Sequence, residues 1–169
     1  MGTIGTIVAE LAGSSMRPVR ALLLDKRPDT NWSLGWHQDR TIVVRRKVVV
    51  DGYGPWTIKQ GLLHVSPPAT LLARMPTVRI HLDAVDDDNA PLLVAPGTHR
   101  YGRIAEAEVD GLVAVHGVRT CLAGQGDVWC YATPILHASN PARRPRSRRV
   151  LQVDYSAEQL PGGLTWLGL

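Results

Sequence analysis

Residues 126–156 read GDVWCYATPILHASNPARRPRSRRVLQVDYS and contain two β-strand patterns on either side of a proline- and arginine-rich segment. The first pattern is GDVWCYA, at 126–132, and the second is RRVLQVDYS, at 148–156. Valine and aromatic residues, which are enriched in strands, recur in both. Similar short runs lie upstream: TVRIHLDAV at 77–85, PLLVAP at 91–96 and GLVAVHG at 111–117. Short strands separated by Gly, Pro and Asp turns predict a mainly β fold with a few short helices, either a sandwich or a jelly roll.

The N-terminal half adds fewer and less regular elements. The patterns predict a short helix at 6–12 with a turn at 13–15, and then a buried strand in VRALLLD from Val19. An extended segment follows at 32–39, and TIVVRRKVVVD at 41–51 is expected to form a strand or hairpin arm. After a loop at 51–56, the segment ATLLARM at 69–75 is expected to form a short helix. Neither a repeat nor a linker interrupts the chain. We therefore expect residues 1–169 to form a single domain.

The composition is typical of a soluble globular protein, with 44% hydrophobic and 20% charged residues. The net charge of +4 raises the question of nucleic-acid binding. Five arginines lie within 143–149, but three aspartates at 86–88 oppose them, and aromatic residues are not interleaved with the arginines. We interpret these segments as two charged loops and expect no nucleic-acid partner.

The cysteines and the apolar runs predict the cellular compartment of the protein and whether it associates with a membrane. Cys121 and Cys130 are the only two cysteines, and their spacing fits neither a CxxC metal pair nor a disulfide framework. Reduced thiols in a cytoplasm are therefore expected. No apolar run reaches the roughly 18 residues that a membrane span requires, so we expect no membrane partner.

Histidine spacing suggests a metal site in the extended segment before residue 40. Alternate residues of a strand share a face, so His37 and Asp39 direct an imidazole and a carboxylate to one point. His137, which follows the strand pattern at 126–132, is the best candidate for a third ligand from a distant strand. Two histidines and one carboxylate form the facial site of non-haem Fe(II), which leaves positions open for a co-substrate and O₂.

A second pair with the same spacing, His81 and Asp83, also lies on a predicted strand. It runs directly into the acidic turn at 86–88, as a strand end would, so the residue pattern favours His37 and Asp39 without excluding the rival. Further along the chain, strand alternation places Arg148 and Arg149 on opposite faces, and only one of them can face the metal. The guanidinium that does so could bind the far carboxylate of a keto-acid co-substrate.

Three segments resemble the phytanoyl-CoA dioxygenase family: WHQDR at 36–40, HLDAVDDDNAPLLVAPGTH at 81–99 and LHASNPARRPRSRRVLQVDYS at 136–156. The resemblance extends over residues 19–156 and implies a double-stranded β-helix, the jelly roll of cupin-like proteins. It also implies that the metal ligands are His37, Asp39 and His137, with Fe(II) as the metal and 2-oxoglutarate and O₂ as co-substrates.

The resemblance also assigns the co-substrate residues. The arginine of the family lies eleven positions after the distal histidine, which selects Arg148, and a serine two positions after that histidine corresponds to Ser139. Only 36 residues precede His37, so a lysine that serves the co-substrate in the family has no clear counterpart. Asp39 stands where related halogenases carry a small residue, which favours hydroxylation over halogenation.

The expected reaction is hydroxylation of a small organic molecule, coupled to the decarboxylation of 2-oxoglutarate to succinate. Desaturation, epimerisation or ring formation are alternatives within the same chemistry. A different class of function would be a jelly roll that binds a metal or ligand without catalysis. Residues in or near loops that could contact the substrate are Trp36, Gln38, Trp56, Lys59 and His64.

Overall fold

Two four-stranded antiparallel sheets face each other across a polar cavity in the computed structural model, which describes residues 2–13 and 15–169. With strands numbered in chain order, the first sheet contains, from edge to edge, β1 (Arg17–Lys26), β11 (Arg148–Ser156), β6 (Pro76–His81) and β9 (Val128–Ala132). The second contains β2 (Leu34–His37), β10 (His137–Ser139), β7 (Leu92–Val94) and β8 (Arg119–Cys121). This arrangement confirms the predicted mainly β jelly roll.

Within the described ranges, a third, smaller sheet and three α-helices pack around these two sheets. The small sheet has the order β3 (Ile42–Val43), β5 (Leu62–Val65) and β4 (Trp56–Lys59). The α-helices are α1 (Thr3–Ala12), α2 (Ala69–Leu72) and α3 (Val109–His116), and 3-10 helices span Thr98–Tyr101 and Glu106–Glu108. None of the helices in the described part of the chain has the length and hydrophobicity to cross a membrane.

Strand β11 is covered on both faces, so nearly all of its residues are buried and only Arg149 is exposed. Its outer face packs through Val153 and Tyr155 against Val8 of α1 and Val78 of β6. Its inner face carries polar residues, including Gln152, toward the cavity. The first sheet therefore has an apolar layer outside and a polar, site-bearing layer inside.

The strand predicted at 111–117 is wrong, because this segment belongs to helix α3. Val109, Leu112 and Val113 recur at helical spacing and pack against a cluster that includes Ile104 and Leu136. Gly117, with a φ of +71°, ends the helix in a conformation that favours glycine. The run of small and β-branched residues concealed this three- and four-residue periodicity.

The predicted strand at 41–51 is largely wrong as well. Only Ile42–Val43 forms a strand, and Val44 makes a single bridge to Trp166. The backbone N–H of Arg45 donates to Thr165, so the C-terminal segment takes the pairing that a longer strand would need.

Other differences from the predicted elements are smaller. Strand β1 is only half-buried, with Leu23 54% exposed, although the sequence suggested a buried strand. The β4–β5 hairpin, which turns at Gln60 and Gly61 with positive φ at both residues, was missed. The helices at the N-terminus and after the two prolines are confirmed, whereas Ser14 of the predicted turn at 13–15 lies outside the described residues.

Candidate metal centre and adjoining cavity

His37, Asp39 and His137 come together at one end of the second sheet. His37 is the last residue of β2 and pairs directly with His137, the first residue of β10. Their ring centroids lie 4.2 Å apart, and His137 Nε2 is 4.0 Å from Asp39 Oδ2. One ligand atom from each residue lies within 4.8 Å of the other two, and in the described part of the chain these residues form the one such cluster of potential ligands.

Hydrogen bonds to the backbone prepare both histidines to bind a metal through Nε2. His37 Nδ1 lies 2.7 Å from the Gly35 carbonyl oxygen, and His137 Nδ1 lies 2.9 Å from that of Ile135. Because a carbonyl oxygen only accepts, Nδ1 carries the proton, and the Nε2 lone pair is free. Burial lowers the pKa of His137 well below its ordinary value, which keeps the ring neutral. The donor set therefore fits a divalent metal with open coordination positions.

The rival pair does not form a metal site. His81 is buried, and neither of its ring nitrogens has a hydrogen-bond partner. The Asp83 carboxylate instead accepts two hydrogen bonds from the exposed Arg149 guanidinium, at 2.8 and 2.9 Å. Arg149 thus points outward to Asp83, whereas Arg148 is buried and lines the cavity.

The metal cluster opens into a cavity of about 110 Å³ between the two sheets. Besides His37, Asp39 and His137, its walls include Ser139 and Arg148, the two residues expected to hold a co-substrate. Arg79 and Gln152 of the first sheet complete the polar wall, and leucines of β1, β2 and β7 form the apolar part. All five residues expected at the metal and the co-substrate therefore surround one space.

Lys26 is a residue of this region that sequence reasoning missed. It ends β1 opposite Arg148, and its side chain is buried. The ammonium group donates to Ser139 Oγ at 3.1 Å and to the Asn140 carbonyl oxygen at 3.0 Å. Burial, followed by the nearby charges of Arg148 and Arg79, lowers the pKa of Lys26 to about 8. Lys26 is recognisable only from the pairing of β1 with β11, which places it opposite Arg148 and which a single sequence does not reveal.

The five side chains expected to contact the substrate do not line this cavity. Gln38 is buried and fully engaged: its amide nitrogen donates to Gly102 and Pro134 carbonyl oxygens at 2.8 and 2.7 Å, and its oxygen accepts the Ile104 N–H at 3.0 Å. His64 is buried 3.1 Å from the Thr41 hydroxyl. Gln38 does border a separate cavity of about 250 Å³, which Asp39 and Arg103 also line.

The remaining three of these five side chains also lie outside the 110 Å³ cavity, although Trp36 lines a further cavity of about 430 Å³ together with His37. Trp36 packs against the cluster under α3, and Trp56 packs against the core beneath the small sheet. Lys59 is exposed at the end of β4. At the rim of the 110 Å³ cavity, the structure instead places Arg20 and Trp32.

The two charged loops contact each other. Arg143 and Arg144 both form ion pairs with Asp88, and Arg146 pairs with Asp86. The backbone N–H of Arg146 also donates to the Asn89 side chain. These contacts join the segments that precede β7 and β11, next to the buried Arg148.

Comparison with solved structures relates the whole fold to known proteins. EvdMO1 is 19% identical, with a TM-score of 0.68 over 96% of this chain and 31% of its own. AviO1 from Streptomyces viridochromogenes Tue57 is 22% identical, with a TM-score of 0.65 over 94% and 59% of the two chains. EctD from S. alaskensis, with 2-oxoglutarate and 5-hydroxyectoine, is 19% identical, with a TM-score of 0.54 over 88% and 49%. The chain thus spans between 31% and 59% of the length of these proteins.

Sequence comparison is more specific than these structural matches. None of the curated proteins matches the chain. The family model of phytanoyl-CoA dioxygenase, however, matches residues 11–150, which include His37, Asp39 and His137. Because this match extends over most of the chain, the protein belongs to the phytanoyl-CoA dioxygenase family.

Proposed function

We propose that the protein is a non-haem Fe(II)- and 2-oxoglutarate-dependent dioxygenase that hydroxylates a small organic molecule. The observation that carries the proposal is the His37, Asp39 and His137 cluster, which shares one cavity with the buried Arg148. Family membership supports iron and 2-oxoglutarate as the cofactors. Structures of EctD with 2-oxoglutarate and with bound Fe have the same fold and support the same pair.

The two histidines and the aspartate would hold Fe(II) through three neighbouring positions. When bound there, the iron supplies the activation of O₂ and the oxidation of the keto acid. The Gly35 and Ile135 carbonyl groups orient both imidazoles so that Nε2 of each ring faces the metal position. Because Asp39 occupies the position that halogenases leave vacant, the site supports hydroxylation.

Arg148 would bind the far carboxylate of 2-oxoglutarate. Its guanidinium donates to the Ala90 carbonyl oxygen, and its Nε has no hydrogen-bond partner although it is buried. A planar guanidinium binds a carboxylate with two charge-assisted hydrogen bonds, which would satisfy this unpaired charge. Ser139, which lines the cavity and accepts a hydrogen bond from Lys26, would contact the same end of the co-substrate.

Succinate release tests the proposal. The purified protein would be incubated with Fe(II), ascorbate and 2-oxoglutarate, alone and with panels of small molecules, and succinate would be quantified by mass spectrometry. We expect slow succinate formation alone and faster formation with a substrate, whose mass increases by one oxygen atom. An Asp39→Ala control should form none. If the wild-type protein neither binds 2-oxoglutarate nor releases succinate, a non-catalytic binding function replaces this proposal.

A further inference from the structure

Two buried cations, Arg79 and Arg148, line the 110 Å³ cavity, and a third, Lys26, lies next to its wall against Ser139. In the described part of the chain, none of the three has a carboxylate partner within 4 Å. Their acceptors are neutral: the Ser139 hydroxyl and Asn140 carbonyl for Lys26, Gln152 for Arg79, and the Ala90 carbonyl for Arg148. Buried charges are normally paired, because their desolvation is costly.

Arg20 shows what a paired cation in the same wall looks like. Its guanidinium lies 3.4 Å from the Asp154 carboxylate, so this charge is balanced within the protein. Asp39 is the acidic side chain that lines the cavity, and it would be occupied as a ligand of the metal. The three remaining cations therefore favour a ligand with more than one negative charge, of which a dicarboxylate is the simplest.

Arg79 lies on the metal side of the cavity. Its guanidinium carbon is 6.0 Å from the centre of the Tyr131 ring, and this ring is 6.2 Å from that of His137. Arg79 pairs with Gln152 in the sheet, four residues along β11 from Arg148. At about 3.3 Å per residue, the two arginines start roughly 13 Å apart and extend long side chains into the same space.

The orientation of Arg79 is fixed by Gln152. The Arg79 Nε–H donates to Gln152 Oε1 at 3.1 Å, and both residues are buried. With Nε engaged, the terminal nitrogens are the part of the guanidinium available to a ligand. The cavity is smaller than the roughly 300–1,000 Å³ of typical ligand sites, so both arginines would act on one compact molecule.

We propose that Arg79 is a second co-substrate arginine, which binds the carboxylate beside the metal, at the keto-acid end of 2-oxoglutarate, while Arg148 binds the far carboxylate. The inference rests on the proposed function, because it takes 2-oxoglutarate as the ligand. Gln152 is a positioning residue in this arrangement. A dianion held by two arginines at opposite ends accounts for both buried guanidinium groups with one molecule.

The test compares two keto acids that differ only at the far end. Calorimetry under anaerobic conditions would measure the Kd of the Fe(II)-loaded protein for 2-oxoglutarate and for 2-oxopentanoate, which has a methyl group in place of the far carboxylate. We expect Arg79→Met to weaken both ligands by the same factor, about tenfold or more. Arg148→Met should weaken 2-oxoglutarate by a similar factor and leave 2-oxopentanoate unchanged. The exposed Arg149→Met serves as the matched control and should change neither.

Arg79→Met keeps the length of the side chain and removes a buried unpaired charge, so we expect it to fold. Thermal melting and Fe(II) content would verify this, and Arg79→Gln provides a second variant with the same expected pattern. Unchanged affinity for both keto acids, or a loss confined to 2-oxoglutarate, would overturn the assignment of Arg79. Failure of the wild-type protein to bind 2-oxoglutarate would instead reject the proposed function itself.

Discussion

At the level of single residues, the buried charge of Lys26 lowers the stability of the folded protein, and an anionic ligand would offset this loss. A buried ammonium group with only neutral acceptors destabilises the folded protein. We expect Lys26→Met to raise the melting temperature of the metal-free protein by about 2–4 °C or more. The same variant should bind 2-oxoglutarate at least tenfold more weakly. Differential scanning fluorimetry and calorimetry measure the two effects, and a variant that lost both stability and affinity would contradict the idea.

The lowered pKa of Lys26 gives this prediction a pH dependence. The folded protein holds the Lys26 proton with a pKa of about 8, below the ordinary value of 10.5 expected in the unfolded chain. The destabilisation is therefore complete below pH 8 and is relieved as the pH rises toward 10.5. The difference in unfolding free energy between Lys26→Met and the wild-type protein should narrow across this window, as urea melts at successive pH values would show.

Gln38 provides a second prediction at this scale. Its side chain satisfies one N–H and two carbonyl groups of distant backbone segments. Gln38→Leu leaves these groups buried without partners, and we expect a loss of about 2–4 kcal/mol in the free energy of unfolding. Urea denaturation measures this loss, with the exposed Gln159→Leu as the matched control. Unchanged stability would show that Gln38 is not the structural link that its contacts indicate.

At the level of secondary structure, β11 decides which arginine faces the cavity. Alternation puts Arg148 inside the barrel, and Arg149 forms its ion pair with Asp83 outside. We expect Arg148→Gln to raise the 2-oxoglutarate concentration needed for half-maximal succinate release by at least tenfold. Arg149→Gln should change it less than twofold, because surface ion pairs contribute little. The reverse result would mean that the register of β11 is wrong.

The same strand shows what a single sequence can predict. The alternation of β11 is visible because the strand is nine residues long and both of its faces are distinctive. Strand β10 has only three residues, too few for any periodicity, although His137 within it was identified by its chemistry. Helix α3 was mistaken for a strand because valine and glycine obscured its helical spacing. Length and composition thus decided which elements were recognisable.

For the whole molecule, the sequence predicted the three residues that cluster at the candidate metal centre, whereas it did not predict the cationic wall. His37 and Asp39 share a local motif, and His137 follows the strand pattern at 126–132. The family resemblance implied the same three residues. Arg79 reaches the cavity, and Lys26 reaches its Ser139 wall, only because β6 and β1 pair with β11 on either side. Such pairings between distant segments leave no local signal. The tertiary structure was therefore needed to find these two residues.

Metal binding should stabilise the whole protein through mass action. At a metal concentration 100-fold above its Kd, the gain is about 2.7 kcal/mol, which raises the melting temperature by roughly 5–10 °C. Mn(II) is a suitable probe because it resists air oxidation, and the shift should disappear in Asp39→Ala. His116→Ala, which changes a histidine outside the cluster, should keep it. A shift that persists in Asp39→Ala would place the metal elsewhere.

Because His37 of β2 pairs directly with His137 of β10, a metal ion bound to both histidines would also strengthen the contact between these two strands. A single ion would clasp β2 to β10, which are otherwise joined over only a few residues with an irregular register. Amide hydrogen exchange should consequently slow most in these two strands when the ion is added, and little in the small β3–β5–β4 sheet. Metal binding would then fix β2, the edge strand of the second sheet, to β10.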